Sequence, residues 1–311
     1  MTLEHTQKRI VIVGARGLIG QAVATALRTR GDMVIATSRT SSDLPNADET
    51  IVWNPHEELF PGDLLQNVDA ICNFAGEPLA PKRWTVEQKR KIRASRILTT
   101  HKITDALRSG PHHPALINAS AIGYYPVTDA LVDTDNPAGS DFLADVCVEW
   151  ERTARAAESY GSRVVVLRTG VVLDRDGGVF PLMMLPIKLG VGGRLGSGKQ
   201  WISWIHIDDA VGLVLYAIDT QSVHGPLNLV SPEPMQQEQF TKAAAHILRR
   251  PAFFPTPSVV ITTMLGETST LLLDSHRVAA PQGIRYRFRY STLENALREL
   301  LTSSHHEDVA S

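Results

Sequence analysis

Cysteine is nearly absent. Cys72 and Cys147 are the only two among 311 residues, too few for a disulfide framework or a multi-thiolate metal site. Charge of either sign is in short excess, 31 Lys plus Arg against 33 Asp plus Glu. The chain therefore lacks the cationic surplus that a nucleic-acid binder needs against phosphate. Long apolar runs are missing too, and no stretch approaches the ~18 uninterrupted apolar residues of a membrane-spanning helix. The polar start, Met1 to Arg9, leads straight into an apolar run and leaves no room for a signal-peptide core. Aromatics make up 6% of the chain, yet 43% is hydrophobic and 21% charged. Such a composition fits a soluble globular chain of one large domain or two modest ones. The expectation is a cytoplasmic protein that meets small molecules, and neither nucleic acid nor membrane.

What is present is an alternation. Ile10-Val11-Ile12-Val13 is a short apolar run of the kind buried on both faces of a sheet. A glycine-rich turn follows, then a helical pattern from Leu18 to about Arg30, stopped by Gly31. Met33–Thr37, Ala70–Phe74, Ala115–Ala119 and Val164–Leu167 read as further strands, with a long charged helical pattern over 85–107. Strands alternating with helices predict an α/β fold, a doubly wound parallel sheet covered on both faces. From Leu173 onward the texture changes. Gly177, Gly178, Gly190, Gly192, Gly193, Gly196 and Gly198 crowd one region, and Pro181 and Pro186 break its helical pattern. The expected division is a sheet domain over 8–172, to which 205–230 returns, and a smaller lobe over 173–204 and 231–301. Residues 302–311 have little to bury and are expected to be disordered.

Gly14, Gly17 and Gly20 form G-x-x-G-x-x-G between the first strand and the first helix. The first glycine permits the tight turn, the second lets backbone N–H groups approach a pyrophosphate, and the third lets helix pack close to strand. The helix N-terminus at Leu18 and Ile19 adds free N–H donors and positive partial charge. A turn that binds nothing is the alternative. An NAD reader places Asp or Glu at the end of the second strand, for the ribose 2′-hydroxyl. Here that strand ends Thr37-Ser38-Arg39, with no carboxylate before Asp43. Arg39 offers a planar charged fork suited to a 2′-phosphate, Ser38 adds a hydroxyl, and Arg16 in the glycine loop can reach the same group. NADP(H) is the expected cofactor; a solvated surface arginine is the alternative. Phe74, Ala75 and Gly76 stand at the carboxyl end of the next strand, where small residues let a cofactor lie flat against the backbone; a plain strand-to-loop turn is the alternative. Lys91 and Arg96 sit on the long helix after it.

These residues resemble the extended and atypical short-chain dehydrogenase/reductase superfamily. More narrowly, they are similar to its nucleoside-diphosphate-sugar epimerase-like members, a group that includes SulA-type cell-division proteins. The likeness is carried by Gly14–Gly20, Asn73–Pro78, Arg83-Trp84, Ser95-Arg96, Ala119–Tyr125 and Arg168–Leu173. It continues through Gly192-Gly193, Gly196–Trp201, Trp204–Asp209 and Arg250–Phe253, and spans about residues 8 to 301. It implies a Rossmann fold, a smaller C-terminal substrate lobe and NADP binding. Carried over by position, the implied cofactor contacts are Ser38, Arg39, Phe74, Ala75, Lys91, Arg96 and Val172.

Hydride-transferring members of the superfamily use Ser or Thr with Tyr-x-x-x-Lys, in which the lysine lowers the pKa of the tyrosine that acts as general base. Ser120 stands where that serine belongs. The tyrosine and lysine are missing: in the helix over Asp141–Glu151, Phe142 and Val146 take their places. Tyr124 is the best local proton donor, so Ser120 and Tyr124 are the candidates for chemistry; Cys147 and Glu149 lie on the same helix. In the second lobe Ile202-Ser203 replaces the arginine with which sugar-nucleotide epimerases bind diphosphate. Gln200, Trp201 and Trp204 offer an amide and two aromatic faces there, while Arg168, Arg194 and Lys199 remain available to an anion. His206, Asp208 and Asp209 are poorly spaced as a metal set and are expected to orient the loop and cap a helix starting near Asp209. Two readings stand first: an NADP(H)-dependent oxidoreductase or epimerase-like enzyme on an unidentified small substrate, or a non-catalytic NADP(H) sensor or regulator, linked to cell division by the resemblance. An interaction protein is a third. A homodimer is expected by analogy of fold alone.

Overall fold

The computed structural model describes residues 6–40, 43–80 and 82–302. Apolar runs become strands and the amphipathic stretches between them become helices. In chain order the first half runs β1 (Arg9–Val13), α1 (Leu18–Thr29), β2 (Met33–Ser38), β3 (Glu49–Val52), β4 (Ala70–Asn73), α2 (Val86–Ser109), β5 (Ala115–Ala121), β6 (Thr128–Val132) and α3 (Phe142–Arg155). The second half runs β7 (Val164–Thr169), β8 (Val171–Leu173), α4 (Phe180–Lys188), β9 (Trp201–Ile202), β10 (Trp204–His206), α5 (Ile207–Asp219) and β11 (Gly225–Leu229). It closes with β12 (Met235–Gln236), α6 (Gln237–Leu248), α7 (Ser258–Leu265), α8 (Thr270–Leu273), β13 (His276–Val278) and α9 (Leu293–Thr302).

Seven strands form one sheet in the order β11-β7-β5-β4-β1-β2-β3, every pairing parallel. This is the doubly wound Rossmann arrangement expected from the alternation. Strand residues divide by parity. Ile10, Ile12, Val34 and Ile117 bury on the face covered by α1 and α5, whereas Val11, Val13, Ile35 and Leu116 face Ile103 and Leu107 of α2 and Ala154 of α3. A ligand site in such a sheet lies beyond the strands' carboxyl ends, beside the point where strand order reverses. Here that point lies between β1 and β4.

The helix stop at Gly31 takes the expected left-handed conformation, with φ +92°. The prolines behave differently from expectation. α4 runs through both Pro181 and Pro186. Pro181 sits in the first turn, where the missing N–H has no intrahelical partner to lose. Pro186 comes just before the helix ends, and its carbonyl accepts from the Val191 amide at 3.0 Å. The glycine-rich lobe is thus more helical than its composition suggested, around a core of Phe180, Met184, Trp204, Phe240 and Leu297.

α5 starts at Ile207, two residues before the expected point, because His206 is its N-cap: Nδ1 accepts from the Asp208 amide at 3.1 Å and Nε2 lies 3.0 Å from Glu299. Asp209 is fully buried and accepts three hydrogen bonds, from the Tyr286 hydroxyl (2.9 Å) and the amides of Arg289 and Tyr290 (2.8 Å each). It ties the C-terminal segment to α5. Thr302 closes α9 within the region expected to be a disordered tail, and residues 303–311 of that tail lie outside the described residues. Among the described residues no helix is long and apolar enough to cross a membrane.

Candidate cofactor and active site

The glycine loop sits at the carboxyl end of β1, and its three glycines do separate things. Gly14 has φ +85°, and a Cβ there would stand 2.7 Å from the Ala75 nitrogen and the Phe74 carbonyl carbon. The end of β4 therefore crosses directly over Gly14. A Cβ on Gly20 would lie 2.4 Å from the Gly14 oxygen, which fixes how tightly α1 packs on the turn. Gly17 has more room, 3.3 Å to the Gly14 oxygen, and is the N-cap of α1. No side chain caps that helix and no acidic residue lies in its first turn. The helix thus opens with N–H donors at Leu18 and Ile19 and a positive dipole end, which suits a dinucleotide phosphate.

Beside this loop β2 ends without a carboxylate. Arg16 donates from Nε to Ser38 Oγ at 3.3 Å and from an Nη to Thr40 Oγ1 at 3.2 Å, so the loop arginine and both hydroxyls form one cluster. Arg39 is exposed between them in sequence. At the end of β4, Phe74, Ala75 and Gly76 lead into a turn held from beneath by Arg96. That guanidinium comes within 3.0 Å of the place a Gly76 Cβ would take and donates to the Glu77 and Ile92 carbonyls at 3.0 Å each. Burial pushes the Arg96 pKa below its ordinary value. Lys91 is exposed on α2, 3.7 Å from Glu87. Val172, on β8, pairs with Ile205 of β10 and packs against the sheet core. Leu18 lies under Gly177 and Gly178, so the loop after β8 covers the start of α1.

Beneath the β4 and β5 ends runs a buried amide network that was not read from the sequence. Asn73 Nδ2 donates to Thr100 Oγ1 (2.9 Å) and Asn118 Oδ1 (2.7 Å), and Trp150 Nε1 donates to the same Thr100 oxygen at 2.9 Å. A polar residue within an otherwise apolar strand was the available signal.

Ser120 and Tyr124 stand at the carboxyl end of β5, as expected, but with different freedom. Ser120 is buried and its hydroxyl donates to Glu151 Oε1 at 2.7 Å. Glu151 also takes two 2.9 Å bonds from Arg168, through Nε and an Nη. The remaining Nη of Arg168 donates to the Tyr125 hydroxyl at 3.0 Å, which in turn donates to Asn228 Oδ1 at 2.7 Å. Burial alone would lower the Arg168 pKa; its bonds to Glu151 outweigh that and hold it above the ordinary value. Arg168 is thus sealed into a buried pair rather than available to an anion. Its guanidinium carbon lies 3.4 Å from the centroid of the Tyr124 ring. The Tyr124 hydroxyl makes no hydrogen bond among the described residues.

The face that α3 turns to this site differs from the expected one. Glu151 meets Ser120, Cys147 Sγ lies 3.9 Å from the Ala121 carbonyl, and Leu143 Cβ lies 3.1 Å from where a Gly123 Cβ would stand. Leu143, Cys147 and Glu151, four residues apart, form that stripe. Phe142 instead packs edge-on against Trp84, with centroids 5.5 Å apart, and Val146 is buried one position round the helix. Leucine and a buried thiol, whose pKa burial and the neighbouring Glu151 raise to about 12, therefore occupy the i, i+4 positions facing β5. Glu149 points elsewhere, to an ion pair with Arg93 of α2.

In the second lobe two expected ligand faces prove structural. Trp204 is fully buried and donates to the Glu233 carbonyl at 2.7 Å. Gln200 spends its amide on the carbonyls of Leu195 (3.1 Å) and Leu272 (3.0 Å). Trp201 is half-buried with the Arg277 guanidinium 4.1 Å from its ring. Arg194 and Lys199 are exposed.

The sequence profile of the NAD dependent epimerase/dehydratase family matches residues 10–229. An epimerase family protein of Mycobacterium bovis is 37% identical over 292 residues, covering 93% of this chain and 96% of its own. One of Staphylococcus aureus is 35% identical over 299 residues, covering 94% and 99%. Among solved structures, a human epimerase family protein crystallised with NADPH superposes with a TM-score of 0.83 at 32% identity, over 94% of this chain and 98% of that one. A nucleoside-diphosphate sugar epimerase from Corynebacterium glutamicum gives 0.77 at 31% identity, over 95% of this chain and 58% of that one.

Proposed function

Because this chain belongs to the NAD-dependent epimerase/dehydratase family, we propose that it binds NADP(H) and acts as an oxidoreductase or epimerase-like enzyme on a small substrate. The observation that carries the cofactor choice is the Arg16–Ser38–Thr40 cluster beside exposed Arg39, at a strand end with no carboxylate. Two guanidinium groups and two hydroxyls suit a dianionic 2′-phosphate and leave a bare ribose hydroxyl without its usual acceptor. The α1 N-terminus would hold the pyrophosphate, with Gly14, Gly17, Leu18 and Ile19 supplying backbone. Phe74, Ala75, Gly76 and Val172 would flank the rest, with Arg96 supporting that turn from below. When bound, the nicotinamide supplies a hydride donor or acceptor.

The chain's own residues then handle the proton. Leu143 and Cys147 stand where a Tyr-x-x-x-Lys pair would face β5, and neither can act as a general base at neutral pH. The Tyr124 hydroxyl is the proton donor in this reading, its ring held by Arg168, while Ser120 is oriented by Glu151. The same absence of a conventional pair favours a second reading, a cofactor sensor that does not turn over.

Fluorescence titration tests both. Wild-type protein should bind NADPH more tightly than NADH. Arg39→Ala should weaken NADPH about tenfold or more, the worth of a charge-assisted contact, while NADH is unchanged. Equal affinity for the two cofactors overturns the 2′-phosphate assignment. NADPH oxidation with a panel of carbonyl compounds, abolished by Tyr124→Phe, supports the enzyme. Tight binding with no hydride ever lost supports the sensor.

A further inference from the structure

Two stretches of the second lobe, 180–199 and 241–266, contain six Lys or Arg and no Asp or Glu, on a chain of formal net charge −2. They lie side by side. Gly190 packs against Pro251, the Phe254 amide donates to the Gly192 carbonyl at 3.2 Å, and the Thr256 amide donates to the Arg194 carbonyl at 2.9 Å. Of the fifteen exposed large hydrophobic residues among those described, nine fall in these two stretches. Phe253 is 73% exposed and Phe254 51%, their ring centroids 5.2 Å apart. Leu189 and Val191 stand exposed on the neighbouring segment, and Val259 and Met264 on α7. The cations are placed at the roots of these side chains: Lys188 adjoins Leu189, and Arg249-Arg250 lead directly into Pro251 and the phenylalanine pair.

We propose that this face docks on a bilayer surface containing anionic phospholipid. In this docking Phe253 and Phe254 enter the headgroup boundary, while Lys188, Arg194, Arg249 and Arg250 meet lipid phosphates. Exposed aromatic side chains with basic residues beside them in the chain, and no acidic residue within either stretch, match the interfacial zone of an anionic leaflet, where apolar burial and charge attraction add. Glu238, paired with Lys242 at 2.6 Å and packed against Gly198, marks the acidic border of that face. A second copy of the same face would bring like charges together, which disfavours self-association. The docking is independent of the cofactor reading, needs no membrane-spanning segment, and runs counter to the expectation that no membrane is met.

Co-sedimentation with phosphatidylcholine vesicles, with and without 30% phosphatidylglycerol (about one anionic lipid in three), tests it, with the full chain throughout. The wild type should pellet with the anionic vesicles at 50 mM KCl, stay in the supernatant with pure phosphatidylcholine, and lose binding at about 500 mM KCl, where charge is screened. Each basic side chain near such a surface contributes roughly fivefold. The Arg249→Glu/Arg250→Glu variant should therefore lose well over tenfold in partitioning, and Phe253→Ser/Phe254→Ser a comparable amount. Unchanged circular dichroism and melting temperature certify that both variants fold. Wild-type protein that ignores anionic vesicles, or variants that bind as the wild type does, overturn the proposal. So does a concentration-dependent dimer abolished by the phenylalanine variant without vesicle binding, because the face is then a protein interface.

Discussion

Arg168 lies over the ring of Tyr124, its guanidinium carbon 3.4 Å from the centroid, while two of its nitrogens grip Glu151 at 2.9 Å. One buried carboxylate thereby sets both candidate residues of the site, Ser120 directly and Tyr124 through the arginine. Removing one member of a buried pair strands the other, at a cost of about 3–5 kcal/mol. Glu151→Gln should lower unfolding free energy by about 3 kcal/mol in urea titrations. Arg168→Leu with Glu151→Leu should cost less than the two single changes added together, because no lone charge remains.

The glycines of the first loop can be separated by substitution. Gly14→Ala places a Cβ 2.7 Å from backbone atoms of Phe74 and Ala75 at a φ of +85°. It should destabilise the fold by roughly 2–4 kcal/mol. Gly17→Ala meets only the Gly14 oxygen, at a tight 3.3 Å, with φ at an ordinary −75°, and should cost about 1 kcal/mol, well under Gly14→Ala. Calorimetric titration should show that it weakens dinucleotide binding tenfold or more, since its methyl group would stand in the proposed approach of the phosphate.

Cys72 and Cys147 are buried, and burial raises each thiol from the ordinary 9.0 to about 12. At pH 8 only about one in ten thousand of each is thiolate. Ellman's reagent should therefore register no thiol in the native protein and two after guanidinium denaturation. The sign of the linkage follows from the raised folded value. Below the unfolded pKa, the ordinary 9.0, the neutral thiols contribute their full stability. That contribution falls as pH climbs from there toward about 12, so urea midpoints should decline above pH 9 and decline less in Cys147→Ala.

Asp209→Asn replaces a charge that accepts three hydrogen bonds with an amide whose nitrogen meets donors. The loss should be about 2–4 kcal/mol. Hydrogen exchange should locate the loosening at residues 286–302, with β1 to β5 unaffected.

Periodicity made the sheet legible, because strands buried on both faces are short apolar runs bounded by glycine and charge. The edge strands were less so: β3 is four residues with a charged start, and β11 carries Pro226, tolerated there because only one edge is paired. The glycine loop was legible at Gly14 and Gly20, since steric need at a turn is local; the task expected of Gly17, admitting a pyrophosphate, belongs to the proposed function. The facing of α3 was not. An i, i+4 spacing fixes a stripe but not its rotation, and one residue turns a helix by about 100°. Phe142 and Val146 differ from Leu143 and Cys147 by that single step, and what settles it is Glu151 reaching Arg168 across to β7. An acidic residue on the inner face of that helix and an arginine ending Val164–Thr169 were the signal available. Trp204 and Gln200 were misread for the same reason: an aromatic ring and an amide serve a lobe core as readily as a ligand, and only packing tells which.

Asp209 imposes an order of events on the chain. Its buried charge is answered by amides eighty positions farther along, which leave the ribosome long after the sheet that surrounds α5. Until they arrive the carboxylate has only water to answer it. A product truncated before Tyr286 is therefore expected to keep that carboxylate hydrated, with no C-terminal segment to close over α5.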